Sequence, residues 1–321
     1  MQEELDTSEL APDIKWERYE YVNIKTKGSS RRKLMLISKT TKPGEMFTYF
    51  KDILKTFPSH QFRANWQNKQ FKMLKENLPQ QHCIFVHDFS ENYRCFENTE
   101  IQSSYFVRLE ISIHVTLIYR LAILEIDGEE STIENQSIIT EHFFVFSPDE
   151  SHDTYFTHDV RKLVTNYLSS ISAYVTTIHE FTDGCQAQYK SRHCLGDFSY
   201  SKEDFGFDQY FRNFFETSHA KGLQDAAGGF VKRQADIAVL RGKVTIKTAE
   251  DMYQFSIQNL TKPNESASCK RRILRLLDNT ERDELRKFKP VPDNRSIQRV
   301  HCVENGIISV KNYPVTHVIR V

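Results

Sequence analysis

The chain has no net charge, because 43 Lys and Arg residues balance 43 Asp and Glu residues. A balanced chain exerts no global pull on nucleic acid, so any argument for a polyanionic partner has to rest on local basic patches. None of the six cysteines, at 83, 95, 185, 194, 269 and 302, stands in a Cys-x-x-Cys pair. That argues against a zinc ribbon or finger and reads as six reduced thiols. No stretch approaches the ~18 uninterrupted apolar residues of a membrane span. Residues 1–15 place Glu3, Glu4, Asp6 and Glu9 where a secretory signal would have its apolar segment. No internal repeat is present, which argues against a solenoid or propeller. These absences lead us to expect a protein of the nucleus or cytoplasm with no membrane partner.

What is present is a globular composition, 39% hydrophobic and 27% charged over 321 residues, enough for one large domain or two ordinary ones. Residues 1–21 are acidic, with few core candidates, and read as a flexible arm. Residues 22–80 turn basic, with Arg31, Arg32, Lys33, Lys39, Lys51, Lys55, Arg63, Lys69 and Lys72, and read as a helical lobe. Met46, Phe47, Phe50, Ile53, Leu54 and Phe57 follow helical spacing until Pro58 stops them. A second helix over 60–78 would turn Phe62, Trp66, Leu74 and Leu78 inward. Such a pair either grips DNA with its bases or covers the flank of a sheet.

Residues 81–240 alternate strand and helix patterns. Strands are expected near 82–88, 111–124, 142–146, 174–182 and 210–216, with helices over 160–171, through Lys190, and over 218–233. Ala226, Ala227, Gly228 and Gly229 suit that last helix to a close approach to the sheet. Residues 241–321 read as an extension: a short strand at 243–246, a helix at 249–260, a polar connection over 261–293, and a hairpin of 296–303 and 307–310 around Asn305-Gly306.

Three acids punctuate this order. Asp183-Gly184 breaks the fourth strand, Asp88 closes the first, and Asp225 stands on the late helix; Asp183 comes 95 positions after Asp88 and Asp225 comes 42 positions after Asp183. Loops at strand ends present polar groups while the strands hold them in place. The expected architecture is therefore α/β: a ribonuclease H-like mixed sheet flanked by helices, with a helical N-terminal lobe and a small C-terminal hairpin. Three carboxylates suit two hard cations about 3.5–4 Å apart in phosphodiester chemistry, and oxygen ligands favour Mg2+ or Mn2+. A zinc site built from His87, His152, His179 and His219 is the lesser alternative, since these show no tight ligand spacing.

Several blocks carry a family resemblance: Asp88-Phe89-Ser90-Glu91-Asn92-Tyr93, Glu100-Ile101-Gln102-Ser103, Ser151-His152-Asp153, the run from Asp183-Gly184-Cys185 to Lys190-Ser191-Arg192, and His219-Ala220-Lys221-Gly222 through Asp225 to Lys232-Arg233. Over residues 45–255 the chain resembles a group of largely uncharacterised invertebrate proteins that look like DDE-type transposases of mobile elements, or genes derived from them. The resemblance implies Asp88, Asp183 and Asp225 as catalytic metal ligands, with Glu91, one helical turn beyond Asp88, as an alternate. It implies Lys190, Arg192, His219, Lys221, Lys232 and Arg233 as nucleic-acid contacts, and Gln186 and Gln188 as groups able to read base edges. One departure stands out: the pattern His-Gly-Lys-Gly has Ala220 in place of its first glycine. The resemblance thus implies divalent-metal-dependent cleavage or strand transfer on DNA. The alternatives are a domesticated, inactive DNA- or protein-binding module and a plain structural protein with accidental acids. Oligomeric state is left open.

Overall fold

The structure, a computed structural model, describes residues 8, 10–26, 29–96, 109–216, 220, 222–282, 287–312 and 315–321. The chain divides into two compact units, Met1–Asn65 and Trp66–Val321.

In the first unit, strands β1 (Ile14–Thr26) and β2 (Ser29–Thr41) form a two-stranded antiparallel ribbon, and helix α1 (Pro43–Glu76) begins directly after it. Two expectations are corrected here. The acidic arm gives way at Ile14 to a strand, whose alternation was hidden by charges on its inward face. There Glu20 accepts from Lys39 at 2.8 Å and from Arg18, while Trp16 packs on Tyr49. The helical lobe is a ribbon and one helix, and Pro58 does not stop that helix. Proline costs a helix one hydrogen bond and a clash, and a solvated stretch tolerates both. Residues 51–59 are exposed throughout, and the Thr56 and Ser59 hydroxyls donate to the carbonyls of Ile53 and Thr56 around the break. Phe50, Ile53, Leu54, Phe57 and Phe62, expected inside, are exposed.

In the second unit, the chain runs through β3 (His82–Arg94), β4 (Glu110–Leu121), a single turn α2 (Leu124–Asp127), β5 (Ile138–Ser147), α3 (Thr154–Ser170), β6 (Thr177–Thr182), a π-helical turn (Gln186–Lys190), α4 (Arg192–Phe198), α5 (Ser201–Phe205), β7 (Gln209–Phe214), α6 (Leu223–Leu240), α7 (Ala249–Leu260), β8 (Arg271–Leu276), a 3-10 turn (Asn294–Ser296), β9 (Arg299–Glu304), β10 (Ile307–Asn312) and β11 (Val315–Arg320). Among the described residues the strands form one nine-stranded sheet in the order β11-β10-β9-β7-β6-β3-β4-β5-β8. The five expected central strands are all present. β3, β4 and β5 make an antiparallel meander, then β6 and β7 add in parallel on the other side of β3.

β4 is buried along nearly its whole length, as a strand covered on both faces must be. Alternation along β3 and β6 sends Cys83, Phe85 and Ile178 to one face, against Phe156, Val160 and Val164 of α3 and Leu195 and Phe198 of α4. It sends Ile84, Val86 and Phe181 to the other, against Ala227, Val231 and Ala235 of α6 and Met252 of α7. The helix ends are capped by side chains: Asp153 accepts from the Phe156 N–H, and Thr248 from the Asp251 N–H.

The rest of the C-terminal reading is amended. The Asn305-Gly306 turn joins β9 and β10 with Gly306 at φ 74°, but the hairpin is no appendage, since β9 pairs with β7 and extends the sheet. Residues 243–246 form no strand. Within the expected polar connection, β8 pairs in parallel with β5 and closes the opposite edge. Its alternate arginines were misleading, because Arg271 reaches into a buried ionic group with Asp127 and Glu141.

α6 lies close on the sheet at Gly228, where an added Cβ would come within 2.6 Å of the Ser90 hydroxyl and 2.8 Å of the Ser90 Cβ. At Gly229, on the outer side, nothing lies within 4 Å. Gly228→Ala should therefore cost about 1–3 kcal/mol in urea unfolding, and Gly229→Ala should be neutral or stabilising by up to about 1 kcal/mol. Equal effects of the two changes would contradict the close approach.

Candidate functional site

β3 and β6 pair in parallel up to Val86 opposite Phe181. Two residues beyond that pair stand Asp88 and Asp183: Asp183 lies just past the end of β6, whereas Asp88, expected to close its strand, is paired with Val115 inside β3, which runs on to Arg94. Alternation places both on the face covered by α6, whose first turn carries Asp225, one turn before Gly228 meets Ser90. The three expected acids are thus brought to one end of one face, but they do not set three carboxylate oxygens within 4.8 Å of one another.

The electrostatics agree with that placement. Asp88 is half-buried, and its pKa is pushed up to about 7, first by desolvation and then by the charges of Asp225 and Asp183, with the Phe89 N–H acting the other way. Among the described residues no Lys, Arg or His forms an ion pair with it. Asp183 is also raised by burial, opposed by the Cys185 N–H, which donates to its Oδ1 at 3.0 Å, and by the charge of Lys190. Asp225 is exposed, and its Oδ2 accepts the Gly222 N–H at 2.9 Å, holding the start of α6. Crowded carboxylates of this kind favour a protonated or cation-bound state.

The other expected residues are distributed differently. Glu91 is exposed on β3, where the pairing with β4 shifts between Ser90 and Tyr93. The segment is a strand, so the helical spacing that made Glu91 a ligand does not exist. Lys190 is buried, not a solvent-facing phosphate clamp. Its Nζ lies 3.3 Å from the Arg295 carbonyl and 4.4 Å from the Phe214 ring centre. Burial pushes its pKa down to about 8, with Glu216 and Asp183 acting the other way. Arg192 and Arg233 are exposed, and the Arg192 Nε donates to His193. Lys232 donates to the Glu91 carbonyl at 2.9 Å. Gln188 is half-buried. His219, Lys221 and the side chain of Gln186 lie outside the described residues.

The zinc alternative finds no support in the placement of its histidines. His87 bonds Thr116 at 2.9 Å, His152 bonds Ser112 at 3.0 Å and stacks on Phe89, and His179 bonds His82 at 3.0 Å. Among the described residues one group of His and acidic side chains is tight enough for a metal, His158, Asp197 and Asp204. There the buried Asp197 already has Arg161 as its counter-ion.

Sequence reasoning missed Tyr189. Its ring is buried and its hydroxyl has no hydrogen-bond partner among the described residues. Its pKa is raised well above the ordinary value by burial and by the charges of Asp88, Asp183 and Glu180. Beneath it Glu180 accepts from Arg212 at 3.0 Å, a fully buried ion pair. The Gln-Tyr-Lys order was visible in the sequence, but it read as a solvated helix.

The family described as "Domain of unknown function (DUF8701)" matches residues 67–314, a span that includes all three acids, and the chain belongs to that family. No curated protein and no solved structure matches the chain.

The raised pKa of Asp88 has a definite sign in stability. The unfolded carboxyl ionises near pH 4 and the folded one near 7, so the folded state loses stability as pH rises through that window and stays lower above it. In divalent-free buffer at pH 8, Asp88→Asn should be more stable than the parent by on the order of 2 kcal/mol, allowing for solvent screening. The advantage should vanish near pH 4. An Asn variant less stable than the parent at pH 8 in urea unfolding would argue against crowding of the acids.

Proposed function

We propose that this chain is a ribonuclease H-like phosphodiester-transfer enzyme of the DDE transposase type, acting on DNA with Mg2+ or Mn2+. The observation that carries this reading is Asp88: a half-buried carboxylate beside two others, with no cationic partner among the described residues, standing just beyond the point where the parallel pairing of β3 with β6 stops. Such a group costs stability unless a cation meets it. The donor set fits a hard divalent ion, since all three side chains offer carboxylate oxygen and no Cys or His joins them. The order β5-β4-β3-β6-β7, a meander followed by two parallel strands with the third acid on the helix after β7, supports the ribonuclease H-like reading.

Asp88, Asp183 and Asp225 would hold the metal, which when bound supplies Lewis-acid stabilisation of charge at phosphorus and activation of water or a 3′-hydroxyl. The protein's own residues set the frame. The Cys185 N–H orients Asp183, the Gly222 N–H orients Asp225, and the ordered β3–β6 pair fixes Asp88. Lys190, packed behind Asp183, supplies positive charge from inside the wall. Arg192, Lys232 and Arg233, with His219 and Lys221 of the preceding sequence, meet the phosphates of DNA.

A second reading, a domesticated binding module without chemistry, is favoured by two features. Asp225 already has a structural task in holding the start of α6, and Ala220 replaces the glycine of the resemblance. The two readings separate by experiment. Millimolar Mg2+ or Mn2+ should raise the melting temperature of the parent by several degrees through binding linkage, and should leave Asp183→Asn unmoved. On supercoiled DNA with Mn2+, parent nicking should exceed that of an Asp88→Asn, Asp183→Asn, Asp225→Asn triple variant by orders of magnitude. Equal nicking by the two would remove the catalytic reading. Arg192→Ala should weaken DNA binding and lower its salt slope by roughly one.

A further inference from the structure

We infer that a cleft beside the acid cluster binds a nucleotide, one base with its phosphate, presented either free or within a single strand. The inference deepens the reading above, and it rests on a separate set of residues.

The cleft lies on the acid-bearing face of the sheet, over β6, β7 and β9. The C-terminal part of α1 covers it, with Phe71 packed edge-on against Phe181 at 4.9 Å and Phe215 at 5.7 Å between ring centres. That contact leaves a cavity of about 250 Å³ beside it, walled by Trp66, Leu74 and Phe181 and by the amides of Gln70 and Asn213. A second cavity of about 220 Å³ shares Gln67, Phe214, Phe215 and Gln298 with the first and continues to Gly184 and Lys190. It therefore ends next to Asp183. Together the two are of the size of small-ligand sites, roughly 300–1,000 Å³.

The chemistry of the walls is divided in the way a nucleotide is. Flat aromatic surface and side-chain amides make up the first cavity, suited to the face and edge of a base. Around both run four cations, Lys190, Arg295, Arg299 and Lys311, against one acid, Glu216. The Arg299 guanidinium rests 4.3 Å over the Phe211 ring, which stacks on His301 at 4.4 Å. Among the described residues no carboxylate forms an ion pair with Arg299. A planar, preorganised guanidinium of this kind is suited to a phosphate. A purely apolar ligand would leave the Arg299 guanidinium without a use, and inorganic phosphate would leave the aromatic and amide wall without one.

The chain's two tryptophans allow a direct test, since Trp66 lines the cavity and Trp16 is replaceable. In a Trp16→Phe background with EDTA, a short oligo(dT) strand should quench Trp66 emission saturably. Arg299→Glu and Lys311→Glu should each weaken this about tenfold, and Lys262→Glu, an exposed charge reversal elsewhere, should not. Thermal melts would confirm that the variants fold. Matching quenching by dTMP would assign the cleft to a free nucleotide; quenching by the strand alone would assign it to a strand. No quenching by either, quenching by inorganic phosphate as strong as by dTMP, or indifference to both cleft variants would overturn the inference. The triple Asn variant should bind like the parent. Equal nicking by the parent and the triple variant, with intact quenching, would count against the metal reading alone, and acid-dependent nicking without quenching against the cleft alone.

Discussion

Asp88 and Asp183 stand just beyond the parallel pairing of β3 with β6, and the first turn of α6 adds Asp225, so folding gathers carboxylates where water only partly screens them. Their repulsion works against the contacts that assemble the site, and those contacts are correspondingly stiff. β3 lies in the middle of the sheet with partners on both sides. Gly228 lets α6 sit against Ser90 with no side chain between, and the Gly222 N–H ties the helix start to Asp225. The sheet and one bare helix face hold the acids together against their own charge.

The opposite face of the sheet is organised by paired charges instead. Arg120 bonds both Asp127 and Glu141, Tyr167 adds a bond to Glu141 at 2.8 Å, and Arg271 closes the group from β8. Arg212 and Glu180 pair under Tyr189, and Arg161 pairs with Asp197 beside His158. Buried ion pairs contribute little net stability when complete, but removing one partner leaves an uncompensated charge and is costly. These pairs fix how α3, α4 and β8 dock, and each compensated pair differs sharply from Asp88, which has no such partner among the described residues.

Strands 82–88 and 142–146 were legible because burial on both faces demands runs such as Cys-Ile-Phe-Val and His-Phe-Phe-Val-Phe, and 210–216 because it is rich in aromatic residues. The helix Ala249–Leu260 was legible because its apolar spacing and Thr248 cap agree. Asp183 was legible as a strand-end residue followed by turn chemistry and Asp225 as a helical one, whereas Asp88 read as the end of a strand that in fact continues to Arg94. What was hidden was hidden by charge or by long-range pairing. The β1–β2 ribbon carries Arg18, Glu20 and Lys39 inward, β8 carries Arg271 to buried acids, and β9 to β11 find their place only by pairing with β7. Lys190 and Tyr189 read as solvated because no local pattern records that a later turn, Asn294–Ser296, closes over them through the Asn294 amide and the Arg295 carbonyl.

The pairing of β3 with β6 joins segments about 95 residues apart in sequence, while the β3–β4 and β4–β5 pairs are more local. Long loops are expensive to close before their contacts form, so high-separation pairs form late in folding. The meander can therefore assemble while Asp88 is still alone and solvated, and the charge conflict is postponed until β6 docks. Asp225 joins later still in the chain. In synthesis from the ribosome the conflict therefore arises in two steps, first when β6 brings Asp183 beside Asp88 and then when α6 adds Asp225.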